Sequence, residues 1–237
     1  MSQDDYQEIE IDRLRVHDDL IIKLNGIIEE NMGFIAGGCA RYYASPNDEP
    51  GEFSDVDIFC QGKDLEAART NFMAIDRILN RHDCTKLHTS PNALTYAYQH
   101  TAQRIQLIVP FENPSMKTFG EPCEVMDQFD FTVVKAAFKS LTSTKMLVHK
   151  NFMEDEKAKR LIITHINSPI AVAQRVVKYG KKGYFCPLPQ MIKLFNDWSD
   201  RSDEYKDRMN RWMNNLSNLT EEDFMELEMA LRLDEVI

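Results

Sequence analysis

The chain has 237 residues, 43% of them hydrophobic, which is enough to build one large or two modest globular domains. Its net charge of −10 argues against a protein that binds a polyanion over its whole surface, and its five widely spaced cysteines form no CxxC pair, so neither a zinc site nor a disulfide framework is indicated. The acidic N-terminus and the lack of an apolar run near the roughly 18 residues of a membrane span predict a cytoplasmic protein with no membrane partner.

The first elements predicted along the chain are a helix and a strand that ends in two glycines. Apolar residues recur at helical spacing from Glu8 to Glu30, which predicts the helix. The apolar run Phe34–Ala36 then leads into Gly37 and Gly38, where missing side chains let backbone N–H groups approach a phosphate closely. A short amphipathic turn, Cys39–Ala44, follows.

A pair of aspartates opens the next predicted strand. The turn-rich loop Ser45–Phe53 leads to Ser54–Phe59, in which Asp55 and Asp57 point to one face because strand side chains alternate. Two carboxylates about 7 Å apart on one strand face suit a hard cation such as Mg²⁺. An Asp-x-Asp pair alone is more often a solvated strand edge, but its occurrence with the upstream glycines and Arg41 favours a nucleotide and metal site.

The remaining predicted elements are mainly strands before residue 150 and helices after it. Those before residue 150 are a helix at 64–81, strands at 84–88, 94–98 and 104–109, a helix at 121–128, a helix at 133–141 with Thr132 as its N-cap, and a strand or extended link at 145–149. The second and third of the three strands are predicted to form a hairpin. From residue 153 on, every predicted element is a helix. This order predicts an α+β head, residues 1–150, followed by a helical neck and tail, residues 151–237.

Positive charge is concentrated in the middle of the chain, where residues 131–196 contain twelve Lys or Arg and three acids. Within this stretch Ser168, as an N-cap, and Pro169 begin a predicted helix on which Arg175 and Lys178, three residues apart, share a face. A basic stretch in an acidic chain is a candidate phosphate-binding surface. The alternative is a solvated helix face, and the sequence does not separate the two.

The glycine pair, Arg41 and the aspartate pair together resemble the motif of the DNA polymerase β-type nucleotidyltransferase superfamily, most closely that of the tRNA nucleotidyltransferase (CCA-adding enzyme) and poly(A) polymerase branch. There the motif is Gly-Gly-x-x-Arg-Asp, a loop, and Asp-x-Asp; here Tyr42 stands in place of the first Asp. The segment Asp127–Ala137 is similar to that branch's Arg-Asp-Phe-Thr-Ile-Asn-Ala, with Asp130 matching the Asp and no Arg before it. The helix that carries Arg175 resembles the neck helix after the family's head domain.

The resemblance implies a head with a mixed sheet and flanking helices, and the transfer of a nucleoside monophosphate from a nucleoside triphosphate to an acceptor hydroxyl, on RNA such as tRNA. It implies Mg²⁺ or Mn²⁺ as the cofactor, with Asp55 and Asp57 as the catalytic and metal-binding residues. The nucleotide-binding residues that it implies are Gly37, Gly38, Arg41, Asp130, Arg175 and Lys178.

The third carboxylate of the superfamily has no clear counterpart in the sequence. It usually comes from a later strand of the sheet, and in the predicted strand 104–109 the position facing the metal is, by alternation, Arg104, Gln106 or Ile108, none of which is acidic. Acids elsewhere that are candidates for this position are Glu112, Asp127 and Asp130. Two alternatives therefore stay open: a catalytically silent protein that binds nucleotide or RNA or acts as an interaction module, and a transferase that modifies a small molecule or a protein.

Overall fold

The computed structural model describes residues 3–11, 24, 33–81, 84–98, 103–114, 116–140 and 145–215. The chain divides into two compact units, residues 1–165 and 166–237. Residues 151–165 belong to the first unit, whereas the sequence places its boundary at residue 150. The reason is that this segment pairs with the head: the Thr132 N–H donates to the Ile162 carbonyl at 3.1 Å, and Phe131 and Ile163 form an antiparallel bridge.

The first unit is built on one large mixed sheet. Its strands in the described residues, together with those of a small hairpin, are β1 (Tyr6–Glu10), β2 (Gly33–Ala36), β3 (Asp55–Cys60), β4 (Cys84–Thr89), β5 (Ala93–Tyr98), β6 (Arg104–Ile108), β7 (Glu112–Asn113), β8 (Met116–Lys117), β9 (Ala136–Ser140) and β10 (Lys145–His149). The large sheet has the order β1-β10-β9-β2-β3-β6-β5-β4, and β7 pairs with β8. β3 and β6 run parallel, and the other neighbours in the large sheet are antiparallel.

Helices flank the sheet and make up the regular structure of the second unit. The described helices are α1 (Gly38–Ala44), α2 (Leu65–Leu79), α3 (Pro122–Met126) and α4 (Phe152–Lys157) in the first unit, and α5 (Pro169–Gly180), α6 (Leu188–Asp200) and α7 (Asp203–Asn215) in the second. The α+β fold predicted from the sequence, a mixed sheet with flanking helices followed by a helical region, is confirmed. None of the helices among the described residues has the length and apolar character that a membrane crossing requires.

The two faces of the sheet bury different sets of residues. Val56 and Ile58 of β3 belong to the larger core, which includes buried residues of α1 and α2. Phe59 belongs to a smaller core on the opposite face, where Val125 and Met126 of α3 pack. Because side chains alternate along β3, the face that carries Phe59 also carries the aspartates of the same strand.

One predicted helix is wrong, and another is wrong at its start, although Leu24 within it is helical. Residues Glu8–Glu10, the start of the first predicted helix, lie in β1, whose register against β10 places Glu8 opposite Leu147; apart from Ile11 and Leu24, the rest of that prediction lies outside the described residues. The predicted helix at 133–141 is a 3₁₀ turn, Thr132–Val134, followed by β9. The apolar run is a strand because it pairs with β10 on one side and β2 on the other, which satisfies its backbone within the sheet.

Candidate active site beside the glycine turn

The two aspartates lie at the beginning of β3, on the face of the sheet opposite the larger core. Asp55 and Asp57 are half-buried, while Val56 and Ile58 between and after them are fully buried. The Ser54 hydroxyl donates to Asp55 Oδ2 at 2.6 Å, which orients that carboxylate. The strand therefore presents two carboxylates side by side on one face, as the alternation predicts.

The glycine turn lies directly against Asp57. β2 runs antiparallel to β3 with Ala36 opposite Asp57, so the residue after Ala36 is next to the carboxylate. Gly37 has φ +84°, a conformation that favours glycine, and a Cβ placed on it would be 3.4 Å from Asp57 Oδ2. Its N–H donates to the Ala136 carbonyl at 3.0 Å, so this group closes the sheet rather than facing a ligand. A Cβ on Gly38 would meet nothing within 4 Å, so the space there is open.

β6 borders the aspartate pair on its other side. In the parallel register Arg104 is opposite Asp55 and Gln106 is opposite Asp57, which places all four side chains on one face. Gln106 is half-buried and Arg104 is exposed. In the part of the chain that the structure describes, no cluster of three or more His, Cys, Asp or Glu side chains is arranged to hold a metal ion. The described residues thus supply two carboxylates, an amide and a guanidinium here.

The other acids considered for the third carboxylate have different surroundings. Glu112 is exposed on β7. Asp127 accepts a hydrogen bond from the Tyr6 hydroxyl at 2.7 Å. Asp130 is 5% exposed, and its carbonyl accepts from the backbone N–H of Thr164 at 2.8 Å. Its place next to the sheet is therefore fixed by Thr164, and its contact with a nucleotide stays a prediction.

Arg41 is buried in the first unit instead of reaching a surface. Its side chain is 1% exposed, and Nη1 lies 2.9 Å from Glu156 Oε1 on α4. The same Nη1 donates to the Pro50 carbonyl at 2.7 Å, in the loop before β3. Ser45 Oγ also donates to Glu156 Oε1, at 2.8 Å. Arg41 thus holds the loop that leads to Asp55, and its contact with a nucleotide stays a prediction.

Thr132 does not cap a helix. Its hydroxyl donates to Asp155 Oδ2 at 2.6 Å, and both side chains are buried. Asp155 Oδ1 accepts from Arg160 Nε at 2.8 Å. Thr132 therefore joins the turn before β9 to α4.

Arg175 and Lys178 lie on α5, in the second unit. The helix begins as predicted, with the Ser168 hydroxyl accepting from the Ala171 N–H and Pro169 in the first turn. Arg175 is half-buried and Lys178 is exposed. Their spacing places them on the same side of the helix. Their part in nucleotide binding stays a prediction.

A buried lysine near the glycine turn was not predicted from the sequence. Lys135 is fully buried at the start of β9, and its Nζ donates to the Asp127 carbonyl at 3.2 Å and lies 3.9 Å from Asp127 Oδ1. Burial lowers the pKa of Lys135 to about 8, although nearby carboxylates, first among them Asp127, act in the opposite direction. The signal in the sequence is a lysine between two apolar stretches, Val133–Val134 and Ala136–Phe138.

The neighbours of this lysine are also buried titratable groups. The backbone N–H of His149 donates to the Lys135 carbonyl at 2.9 Å, and the pKa of the His149 side chain is lowered by burial and by the charge of Lys135. Tyr6 lies edge-on to the His149 ring, and burial together with its hydrogen bond to Asp127 raises the pKa of its hydroxyl. Since the Ala136 carbonyl accepts from Gly37, this cluster is joined to the glycine turn through β9.

Comparison with solved structures shows the nucleotidyltransferase fold. A CCA-adding enzyme from Thermotoga maritima complexed with tRNA matches with a TM-score of 0.54 and 14% identity, over 79% of this chain and 44% of that chain. A CCA-adding enzyme in complex with CTP matches with a TM-score of 0.56 and 17% identity, over 81% of this chain and 47% of that chain. An apo form of a CCA-adding enzyme matches with a TM-score of 0.53 and 16% identity, over 79% of this chain and 44% of that chain. The chain therefore spans less than half the length of these proteins.

Sequence comparisons give the family. No curated protein matches the chain. A family model of Gabija anti-defense 2 family proteins matches residues 7–159, which is more than half of the chain and includes the glycine turn and both aspartates of β3. The chain belongs to the Gabija anti-defense 2 family.

Proposed function

We propose that this protein is a metal-dependent nucleotidyltransferase that transfers a nucleoside monophosphate from a nucleoside triphosphate to an acceptor hydroxyl on RNA, with tRNA-like molecules as the first candidates. The observation that carries the proposal is the placement of Asp55 and Asp57 on one sheet face directly beside the turn at Gly37. The fold around them is that of the CCA-adding enzymes.

The donor set at the aspartates fits a divalent cation. Asp55 and Asp57 offer carboxylate oxygens, the ligands that Mg²⁺ and Mn²⁺ prefer, and both side chains are half-buried rather than fully solvated. Ser54 holds the Asp55 carboxylate from the side. A divalent cation bound there would neutralise phosphate charge and acidify the attacking hydroxyl. The two carboxylates would hold it together with water and substrate phosphate.

The chain's own residues would position the triphosphate. Gly37 and Gly38 have no side chains, so the phosphates can approach the carboxylates without a steric obstacle. Because the Gly37 N–H is already bonded to Ala136, we assign Gly37 the shape of the turn rather than a phosphate hydrogen bond. Asp130, Arg175 and Lys178 remain proposed nucleotide contacts, the last two for charge on the leaving pyrophosphate.

RNA is the proposed acceptor for two reasons. The solved relatives of this fold include one complexed with tRNA and one with CTP. In this chain, residues 131–196 carry twelve Lys or Arg against three acids, a local excess of positive charge in a chain of net charge −10. Local positive charge favours a polyanion even when the whole chain is acidic.

A transfer assay with variants tests the proposal. The full chain is incubated with each labelled nucleoside triphosphate, Mg²⁺ or Mn²⁺, and a mixed tRNA pool, and label in RNA is measured. The double variant Asp55→Asn with Asp57→Asn should lose transfer while its circular dichroism stays unchanged. The matched control, Asp48→Asn with Glu49→Gln, removes the same charge from exposed loop residues and should transfer normally. If the first double variant transfers nucleotide at the same rate as the natural protein, the proposed function is wrong.

A second candidate is favoured by the residues of β6. Arg104 and Gln106, neither of them acidic, stand beside the aspartates, as expected if the site binds nucleotide without chemistry. The same assay separates the candidates. Saturable nucleotide binding with no product indicates the silent protein, and label in a small product or in protein indicates a different acceptor.

The family description suggests a biological role for the site. We propose that the protein counteracts the Gabija defence and that this depends on Asp55 and Asp57. Cells that carry this defence are given either the natural protein or the double variant and are then exposed to a challenge that the defence blocks. The natural protein should abolish protection. Equal loss of protection with both proteins would show that the role does not depend on these aspartates.

A further inference from the structure

We propose that Arg104 is a phosphate-binding residue of this site and that its guanidinium takes the place of a second divalent cation. The inference rests on the proposed function, since it concerns how the same site binds a triphosphate. The site would then consist of two carboxylates, one bound divalent cation and one positively charged side chain.

The register of β3 and β6 places Arg104 where it can serve this role. Arg104 is opposite Asp55, its N–H donates to the Ser54 carbonyl at 3.1 Å, and neighbouring strands lie about 4.8 Å apart. Ile105 is fully buried on the other face, so alternation turns Arg104 to the face that carries the aspartates. The side chain therefore begins within one strand spacing of the carboxylate pair.

The guanidinium of Arg104 is available to a ligand. It is exposed, and within the described ranges it makes no hydrogen bond and no ion pair. Asp55 beside it accepts from Ser54 and forms no ion pair with Arg104. An arginine fork matches phosphate oxygens in a bidentate arrangement, so an incoming triphosphate offers it partners that the protein does not.

The charges at the site favour one divalent cation over two. The superfamily's third carboxylate would attract a second cation and repel phosphate, whereas a guanidinium in this region of the sheet repels a second cation and attracts phosphate. Gln106, the other β6 residue beside the pair, is neutral and adds no negative charge. With Arg104 and no third acid of β6 beside the pair, a side chain does part of the charge neutralisation that a second metal ion would otherwise do.

Two binding measurements test the proposal, because removal of the Arg104 charge should change the affinities for phosphate and for metal in opposite directions. Binding of Mn²⁺ alone is followed by electron paramagnetic resonance, and binding of tripolyphosphate, which carries no base, by calorimetry at saturating Mg²⁺. Arg104→Gln should weaken tripolyphosphate about tenfold or more and tighten Mn²⁺ by about fivefold because a repelling charge is removed. Arg104→Asp should tighten Mn²⁺ further, since it supplies a third carboxylate. Arg69→Gln on α2, also exposed, is the matched control and should change neither.

The remaining outcomes separate this inference from the proposed function. Arg104→Lys keeps the charge but not the bidentate fork, so its tripolyphosphate affinity should lie between those of the natural protein and Arg104→Gln. The inference is wrong if Arg104→Gln and Arg69→Gln bind tripolyphosphate with the same affinity. It is also wrong, and Arg104 is structural, if Arg104→Gln and Arg104→Lys lose affinity for both tripolyphosphate and Mn²⁺ to the same extent. If Asp55→Asn with Asp57→Asn leaves Mn²⁺ binding unchanged, the metal site itself, and with it the proposed function, fails.

Discussion

Arg41 and Glu156 form an ion pair in which neither side chain reaches solvent, with exposures of 1% and 0% and an Nη1 to Oε1 distance of 2.9 Å. The two residues are far apart in the chain, and the pair joins α1 to α4. Through the Pro50 carbonyl it also fixes the loop before β3. The pair therefore couples the stability of the first unit to the position of Asp55.

The first prediction concerns removal of one partner of this pair. Glu156→Ala leaves the Arg41 charge buried without its carboxylate, so the free energy of unfolding should fall by about 3 to 5 kcal/mol. Urea unfolding followed by circular dichroism measures this. The exposed pair of Lys145 and Glu8, 3.8 Å apart, is the control, and Glu8→Ala should cost less than about 1 kcal/mol. Equal effects of the two substitutions would contradict a buried, uncompensated charge.

The second prediction uses the two neighbouring glycines. Gly37→Ala forces a side chain into φ +84° and places a Cβ 3.4 Å from Asp57 Oδ2, so it should lower the free energy of unfolding by about 1 to 3 kcal/mol. Gly38→Ala meets nothing within 4 Å and begins α1, so the free energy of unfolding should stay within about 1 kcal/mol of the natural protein. Thermal unfolding of both variants checks the difference, and a Gly37→Ala protein as stable as Gly38→Ala would contradict it.

Local sequence patterns predicted the parts of the fold that depend on neighbours in the chain. Alternation placed Asp55 and Asp57 on one face of β3, and the helix predicted at 64–81 corresponds to α2, for which the structure shows Asp64 as the N-cap. The same kind of pattern failed for β9. Ala136, Ala137 and Phe138 are all buried because β9 lies inside the sheet, and a continuous apolar run of this length does not distinguish a strand from a buried helix.

Relationships across the chain could not be read from local patterns. Nothing near Arg41 in the sequence identifies Glu156 as the partner of its ion pair. Likewise, alternation allowed Arg104, Gln106 or Ile108 to face the metal, and only the register of β6 against β3 places Arg104 opposite Asp55. Pairing of distant strands depends on the fold as a whole, so the composition of the site had to come from the structure.

The third prediction concerns the contact of Thr132 with Asp155. The hydroxyl donates to Oδ2 at 2.6 Å between two buried side chains, and Asp155 also accepts from Arg160. Thr132→Val keeps the shape of the side chain but leaves a buried carboxylate oxygen without this donor, so the free energy of unfolding should fall by about 1 to 3 kcal/mol. Urea unfolding measures it. Thr70→Val, at an exposed position of α2, is the control and should have a smaller effect.

The fourth prediction follows from the buried position of Lys135, whose pKa is lowered to about 8 from the ordinary 10.5. Between pH 8 and pH 10.5 the Lys135 side chain binds more protons in the unfolded chain than in the folded one. The contribution of Lys135 to the free energy of unfolding therefore rises with pH over this range and is least favourable below pH 8. Lys135→Met removes this dependence. The stability of the variant relative to the natural protein should therefore fall by up to roughly 3 kcal/mol as the pH rises from 8 to 10.5. Urea unfolding at both pH values measures the difference, with Lys63→Met, at an exposed residue, as the control. A difference that does not change with pH would mean that Lys135 titrates as an ordinary lysine.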